Sequence, residues 1–263
     1  MPHKTDIKIS IITPSYNQGN FIEDTILSVL NQDYKNFEHI IIDGGSTDNT
    51  LQIIEKYKHL IYVSERDSGQ ANAINKGFKM ATGDIFAWIN SDDYYEKNIF
   101  GDIVYRFSTN ERIQFLYGDI IYVDKNKEEL LRESGAHISY INLLENPDLV
   151  RQPSSFWTRE LYFESGGLDE NLNIVMDYDL FLKFTRRTNP FYLKKNLSYY
   201  RFYSETKTRS LRKQQAKELF KVMKRHSDRF SWNMVWFLIK RYMGSFYLVG
   251  NLRKAQRSMM RNG

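Results

Sequence analysis

The chain has 263 residues, 41% of them apolar and 15% aromatic, which suits one large packed α/β domain or one domain with a helical tail and excludes intrinsic disorder. Cysteine is absent, which excludes disulfides, thiolate metal sites and cysteine nucleophiles and makes a reducing compartment the default. The net charge of +5 hides an asymmetry: residues 201–263 hold 16 Lys and Arg against 3 Asp and Glu, and the first 200 hold 21 against 29.

In chain order, Ile7, Ile9, Ile11 and Ile12 predict a buried first strand close to the start, with no secretory signal ahead of it. Asn20 and Glu23 suit a capping box before a helix striped by Ile22, Ile26, Val29 and Leu30. Phe37–Asp43 predicts a second strand, and GGSTDNT the turn into a helix carrying Leu51 and Ile54. Leu60–Val63 predicts a third strand, Gln70–Ala81 a helix with Ile74, Phe78 and Ala81 on one face, and Ile85–Asn90 a fourth strand. This alternation predicts a parallel sheet covered on both faces, with ligands at the carboxyl ends of its strands. The polar clusters TPSYNQGN, DGGSTDNT, SERDSGQANA and NSDDYY follow the four strands in turn. Beyond them, Gln114–Asp124 holds one or two strands around Gly118. Gly166-Gly167 ends one helix and Asp177 to Thr188 begins another. Residues 209–263 read as basic amphipathic helices.

Adjacent Asp92 and Asp93 make chemical sense if a divalent cation neutralises them, and equally describe a solvated turn. Asp43 closes a strand, where it could accept from a nucleoside or start an Asx turn. Tyr16 could stack on a base or stand as a loop aromatic. Asp177 and Asp179, two apart on a helix, cannot face one point. One is expected to be chemical and the other a cap or surface acid. A carboxylate at a helix N-terminus suits a base that begins ionised, and N-capping is the plain alternative for Asp177. Walker-type, G-x-G-x-x-G and G-x-S-x-G motifs are absent, and the five histidines lack metal-ligand spacing.

Three blocks together resemble glycosyltransferase family 2, inverting nucleotide-sugar-dependent enzymes. They run from IITPSYNQGN to DGGSTDNT, from SGQANAIN to WINSDD, and from QPSSFWTRE to VMDYDLFLKF. The resemblance covers about Ile7 to Thr208. It implies an α/β GT-A fold with a Rossmann-like, mostly parallel sheet: a nucleotide-sugar-binding half over 1–110 and an acceptor-side half over 111–208. A helical extension, 209–263, follows. It further implies that Thr13, Tyr16 and Asp43 cradle the nucleoside, with Gln70 also on the donor side and Asn90 on a ribose hydroxyl. Asp92 becomes the principal ligand of Mn²⁺ or Mg²⁺, with Asp93 beside it. Asp177 becomes the general base, and Gln152, Pro153 and Trp157 face the acceptor. Four departures stand out: Asn90 replaces the metal motif's first acid, Met176 the Glu before the base, Tyr203 a frequent histidine, and Ile74 a frequent arginine. Weaker metal affinity is the expectation.

The implied reaction transfers a sugar from a nucleotide diphosphate donor to a glycan or lipid-linked acceptor, in bacterial surface polysaccharide or glycolipid synthesis. A silent nucleotide-binding scaffold is the alternative, and loss of Asp92 or Asp177 would be its mark. Nucleic acid is not an expected partner. Met234–Gly250 is apolar but interrupted by Lys240-Arg241, and it falls short of the ~20 residues of a membrane span. The tail therefore reads either as helices lying on an anionic membrane, at its cytoplasmic face, or as helices packed on the domain.

Overall fold

The computed structural model describes residues 6–149, 151–203 and 211–243. Strands β1 (Ile9–Ser15), β2 (Phe37–Asp43), β3 (Leu60–Ser64) and β4 (Ile85–Trp88) pair in parallel, with spatial order β3-β2-β1-β4. Their near-continuous isoleucine follows from helices on both faces. On one face Ile22 and Ile26 of α1 (Ile22–Leu30) meet Ile41 and, from α2 (Thr50–Ile54), Ile53 and Ile54. On the other, α3 (Gln70–Met80) lays Ile74 and Phe78 against Ile12, Ile40 and Ile42. The expected capping box does not form: α1 is capped by Phe21 without a side-chain bond, and Glu23 accepts from the Tyr57 hydroxyl at 2.8 Å.

The second half supplies β5 (Tyr94–Tyr95), α4 (Phe100–Thr109), β6 (Phe115–Val123), β7 (Glu129–Glu133), α5 (Tyr140–Glu145), β8 (Ser155–Thr158), α6 (Arg159–Glu164), α7 (Met176–Thr185) and β9 (Phe191–Arg201). Strand β8 runs antiparallel between β4 and β6, β9 lies parallel to β6, and β5 antiparallel to β9. The sheet is thus parallel through β1–β4 and mixed beyond. The stretch 114–124 holds one strand, β6, with a bulge at Gly118, where a Cβ would meet the Leu197 side chain at 2.5 Å.

Two tail helices, α8 (Arg212–His226) and α9 (Trp232–Met243), complete the described chain. Leu219, Val222, Met223 and Met234 enter the main core, so the described part of the tail packs on the domain by its apolar face. The rest of the basic tail, residues 209–210 and 244–263, lies outside the described residues.

Trp157 corrects an expectation. Pleat alternation on β8 turns its ring inward, where it is fully buried between Trp88, Phe78, Phe181 and Phe184 at centroid distances of 5.4–6.0 Å. It holds the core and does not reach an acceptor. Trp157→Ala is expected to cost about 3–5 kcal/mol of stability, read from urea unfolding.

Candidate active site

Strands β1, β2 and β3 end in register, Ser15 opposite Asp43 and Asp43 opposite Ser64. The loops after them therefore open at one edge, onto a cleft of about 550 Å³. Tyr16, 60% exposed, stands at its wall with Asp67, which accepts from the Gly69 N–H at 2.9 Å at the start of α3. Between them passes Gly44, where a Cβ would lie 2.9 Å from the Asp67 carboxylate and 3.5 Å from the Tyr16 ring. Asp43 itself is fully buried. Its carboxylate accepts from the Gly45 and Ser46 N–H groups and from the Ser46 and Ser64 hydroxyls, forming the turn that shapes this corner. Thr13 does not reach the cleft. Two residues short of the strand end, it is fully buried and 2.9 Å from His39 Nε2. Burial, then the neighbouring His59, lowers His39 to about 3, so that imidazole is neutral at ordinary pH.

Beyond β4 the chain turns through Asn90–Asp93, closed by the Asp93 N–H on the Asn90 carbonyl at 3.1 Å. The turn separates the two acids. Asp92 faces the cleft and accepts from the Tyr203 hydroxyl at 2.8 Å. Asp93 points inward, 1% exposed, and accepts from the Arg201 N–H at 2.9 Å and the Asn90 amide at 3.2 Å. Burial first, and then the Asp92 charge, push the Asp93 carboxyl well above the usual range. Asn90 links this acid to the cleft wall: it accepts from Gln70 at 2.8 Å and lies 3.4 Å from Gln152 Oε1, while Gln152 donates to the Trp88 carbonyl at 2.7 Å. An aspartate at position 90 could not donate to Asp93.

Across the cleft, Asp177 sits in the first turn of α7 and accepts from the Tyr178 N–H at 2.8 Å. Burial raises its carboxyl to about 6. It is not the N-cap, which is Val175. Met176, just before Asp177, is buried in the core. Asp179 is neither cap nor surface acid. It lies fully buried on the inner side of α7, paired with Lys183, Arg225 and His226.

The profile described as Glycosyl transferase family 2 matches residues 10–167. The chain belongs to that family. The glycosyltransferase is 32% identical over 209 residues to an uncharacterized glycosyltransferase of Rickettsia bellii, a match covering 75% of this chain and 30% of that one. It is 43% identical over 96 residues to TuaG, a Bacillus subtilis glycosyltransferase named for teichuronic acid biosynthesis, covering 34% of this chain and 38% of that one. The matched region thus spans about a third of each relative's length. Among solved structures, S. aureus TarS 1-349 in complex with UDP-GlcNAc superposes with a TM-score of 0.68 at 20% identity, covering 90% of this chain and 72% of that one. The Pyrobaculum calidifontis mannosyltransferase PcManGT in complex with GDP-Man and Mn²⁺ gives 0.62 at 16%, covering 98% and 75%. At such identities the likeness shows the shared GT-A fold.

In this glycosyltransferase the residues fit a divalent ion held by one protein carboxylate. Asp92 alone of the acid pair is turned to the cleft, and among the described residues no three His, Cys, Asp or Glu side chains stand together. Mg²⁺ commonly takes one or two carboxylates and fills its remaining positions with substrate phosphates and water. Asp93, expected beside Asp92 as a ligand, is turned away because both its oxygens face inward donors. Gln152 and Pro153 do line the cleft, joined by three aromatics, Tyr122, Tyr200 and Phe202, that sequence reasoning did not single out. Their crowding along β6 and the end of β9 was the available signal. Leu219 and Arg241, from the tail helices, also wall the cleft and carry no local signature. Asn90→Asp is expected to lose about 1–3 kcal/mol of stability at pH 8 through the lost donor and a third carboxylate. Like charges raise folded-state carboxyl pKa values, so the loss shrinks as pH falls and these groups protonate. Urea unfolding at pH 8 and pH 5 checks both.

Proposed function

We propose that this glycosyltransferase moves a sugar from a nucleotide diphosphate donor to an acceptor hydroxyl with inversion at the anomeric carbon. The observation that carries the reading is a carboxylate of raised pKa, Asp177, lining the same cleft as Asp92. The TarS structures with UDP and UDP-GlcNAc and the PcManGT complex with GDP-Man support a donor of this class.

Tyr16 and the Asp67 corner receive the nucleoside, and Asp43 shapes that corner from beneath. Gln70 and Asn90 face the donor sugar and ribose, and Asp92, held by Tyr203, faces the diphosphate. A Mn²⁺ or Mg²⁺ ion bound through Asp92 would supply charge neutralisation to the departing diphosphate. Ionised Asp177 takes the acceptor hydroxyl proton as that oxygen attacks the anomeric carbon in line. The bond from that carbon to the diphosphate oxygen breaks through an oxocarbenium-like transition state. Gln152 and Pro153, with the aromatics Tyr122, Tyr200 and Phe202, form the acceptor wall.

Asp177→Asn is expected to abolish transfer while leaving nucleotide diphosphate binding intact, with turnover and ligand titration read in parallel. Because the base must be ionised, the wild-type rate is full above a pH of about 6 and falls roughly tenfold per unit below it. A pH–rate profile without that acid limb would sink the assignment.

A lipid-linked acceptor in surface polysaccharide synthesis, met at the cytoplasmic face of an anionic membrane, fits the tail's outer surface. Trp232 and Trp236 are 87% and 59% exposed, and Lys213, Lys217, Lys221 and Lys224 surround the exposed Phe220. Exposed aromatic and lysine side chains are what an anionic interface binds. No helix of the described residues is long and apolar enough to cross a membrane. Full-length protein is expected to co-sediment with vesicles containing anionic lipid and not with neutral ones. Trp232→Ala with Trp236→Ala is expected to weaken that binding at least tenfold, on the order of 1.4 kcal/mol.

A further inference from the structure

Residues 173–179 carry Asp177, and the tail helix α8 grips them at both ends. At one end the backbone N–H groups of Asn173, Ile174 and Val175 converge on a single Glu218 oxygen, at 3.1, 2.9 and 3.4 Å. Successive amides aimed at one point make an anion-binding concavity. Here a buried side chain of the same protein fills it, and its second oxygen accepts from Gln214 at 3.0 Å. At the other end Asp179 is paired with Lys183 at 2.8 Å, Arg225 at 3.0 Å and His226 at 3.1 Å. Burial alone would raise the Asp179 carboxyl, but hydrogen bonds from His226 and Lys183, with the Arg225 charge, bring it below the usual range. The helix end is tied as well, because Tyr140 and Arg186 both donate to the His226 carbonyl, at 2.6 and 2.7 Å.

Apolar contact alone would dock α8, since Leu219, Val222 and Met223 share a core with Val175, Met176 and Tyr178. Two buried carboxylates, one contributed from each side, add desolvation cost that hydrophobic side chains would not incur. What they add is register: one oxygen meets three particular amides, and one acid meets two particular side chains of α8, Arg225 and His226. A helix rotates about 100° per residue, so a one-residue slip at the start of α7 would swing Asp177 out of the cleft.

We infer that Glu218 is a positioning residue for the reaction, holding the start of α7 so that Asp177 faces the cleft. The inference rests on Asp177 being the base. It makes α8 part of the catalytic machinery, although no residue of α8 need touch the reacting atoms.

The test is steady-state transfer and pH–rate profiles on full-length Glu218→Ala, Glu218→Gln, Arg225→Met and Asp177→Asn. Glu218→Ala is expected to lower kcat by on the order of 10²-fold with the donor KM little changed. Because burial is what raises Asp177, loosening the segment should also move the acid limb from about 6 toward the ordinary carboxylate value of 3.8. Glu218→Gln keeps an acceptor oxygen for the three amides and should retain most of the activity and the wild-type limb. If Glu218→Ala does not fold, Arg225→Met, at a half-exposed partner of Asp179, should shift kcat and the limb in the same direction by less. A folded Glu218→Ala, or failing that Arg225→Met, with wild-type kcat and an unmoved limb overturns the inference. A loss confined to folded yield overturns it too. Transfer by Asp177→Asn would instead sink the base assignment, so the two failures are told apart.

Discussion

The cleft wall at the end of β4 depends on how two neighbouring carboxylates are kept apart. Asp92 and Asp93 cannot both turn into one crevice without strong repulsion, and the tight turn from Asn90 sends them to opposite sides. Asp93 goes inward to the Arg201 backbone and the Asn90 amide, and Asp92 is left facing the cleft under the Tyr203 hydroxyl. Asn90 then has a physical reason to be neutral. It donates to Asp93 on one side and accepts from Gln70 on the other, which an ionised carboxylate cannot do.

The cleft wall formed by α7 separates its charges in a different form. Asp177 and Asp179 differ by two positions, which on a helix is enough to give them opposite surroundings. One keeps the cleft and a raised pKa. The other is buried between Lys183, Arg225 and His226, the last two from the tail. Divergent environments for similar acids are how a protein assigns different roles to one residue type. The tail helices contribute to both faces of this arrangement, through Glu218 and Arg225 behind α7 and through Leu219 and Arg241 in the cleft wall.

Much of this was legible in the residues. Isoleucine-rich strands separated by short amphipathic helices gave the parallel half of the sheet nearly to the residue, with Phe37–Asp43 recovered whole. Polar clusters at the strand ends located the cleft, and Tyr16, Gln70, Asn90, Asp92, Gln152, Pro153 and Asp177 all line it. The errors share one cause. Thr13, Trp157 and Asp93 are the right residue types at the right places in the chain, but the direction a side chain points is set by the pleat or turn that carries it. The Asn20–Glu23 pattern failed for a related reason, because Glu23 found a distant partner in Tyr57.

Composition and local pattern by themselves determined the α/β class, the order of the first four strands along the chain, the basic tail and the acids available for chemistry. These depend on period and spacing, which a linear chain displays. Only the tertiary structure decided that antiparallel β8 enters between β4 and β6, that Asp93 turns away from Asp92, and that the tail helix grips the segment bearing Asp177. Those contacts join residues such as Val175 and Glu218, or Asp93 and Arg201, that lie tens to more than a hundred positions apart. Nothing local encodes such a pairing. It appears when the core closes and each buried carboxylate must find donors within reach.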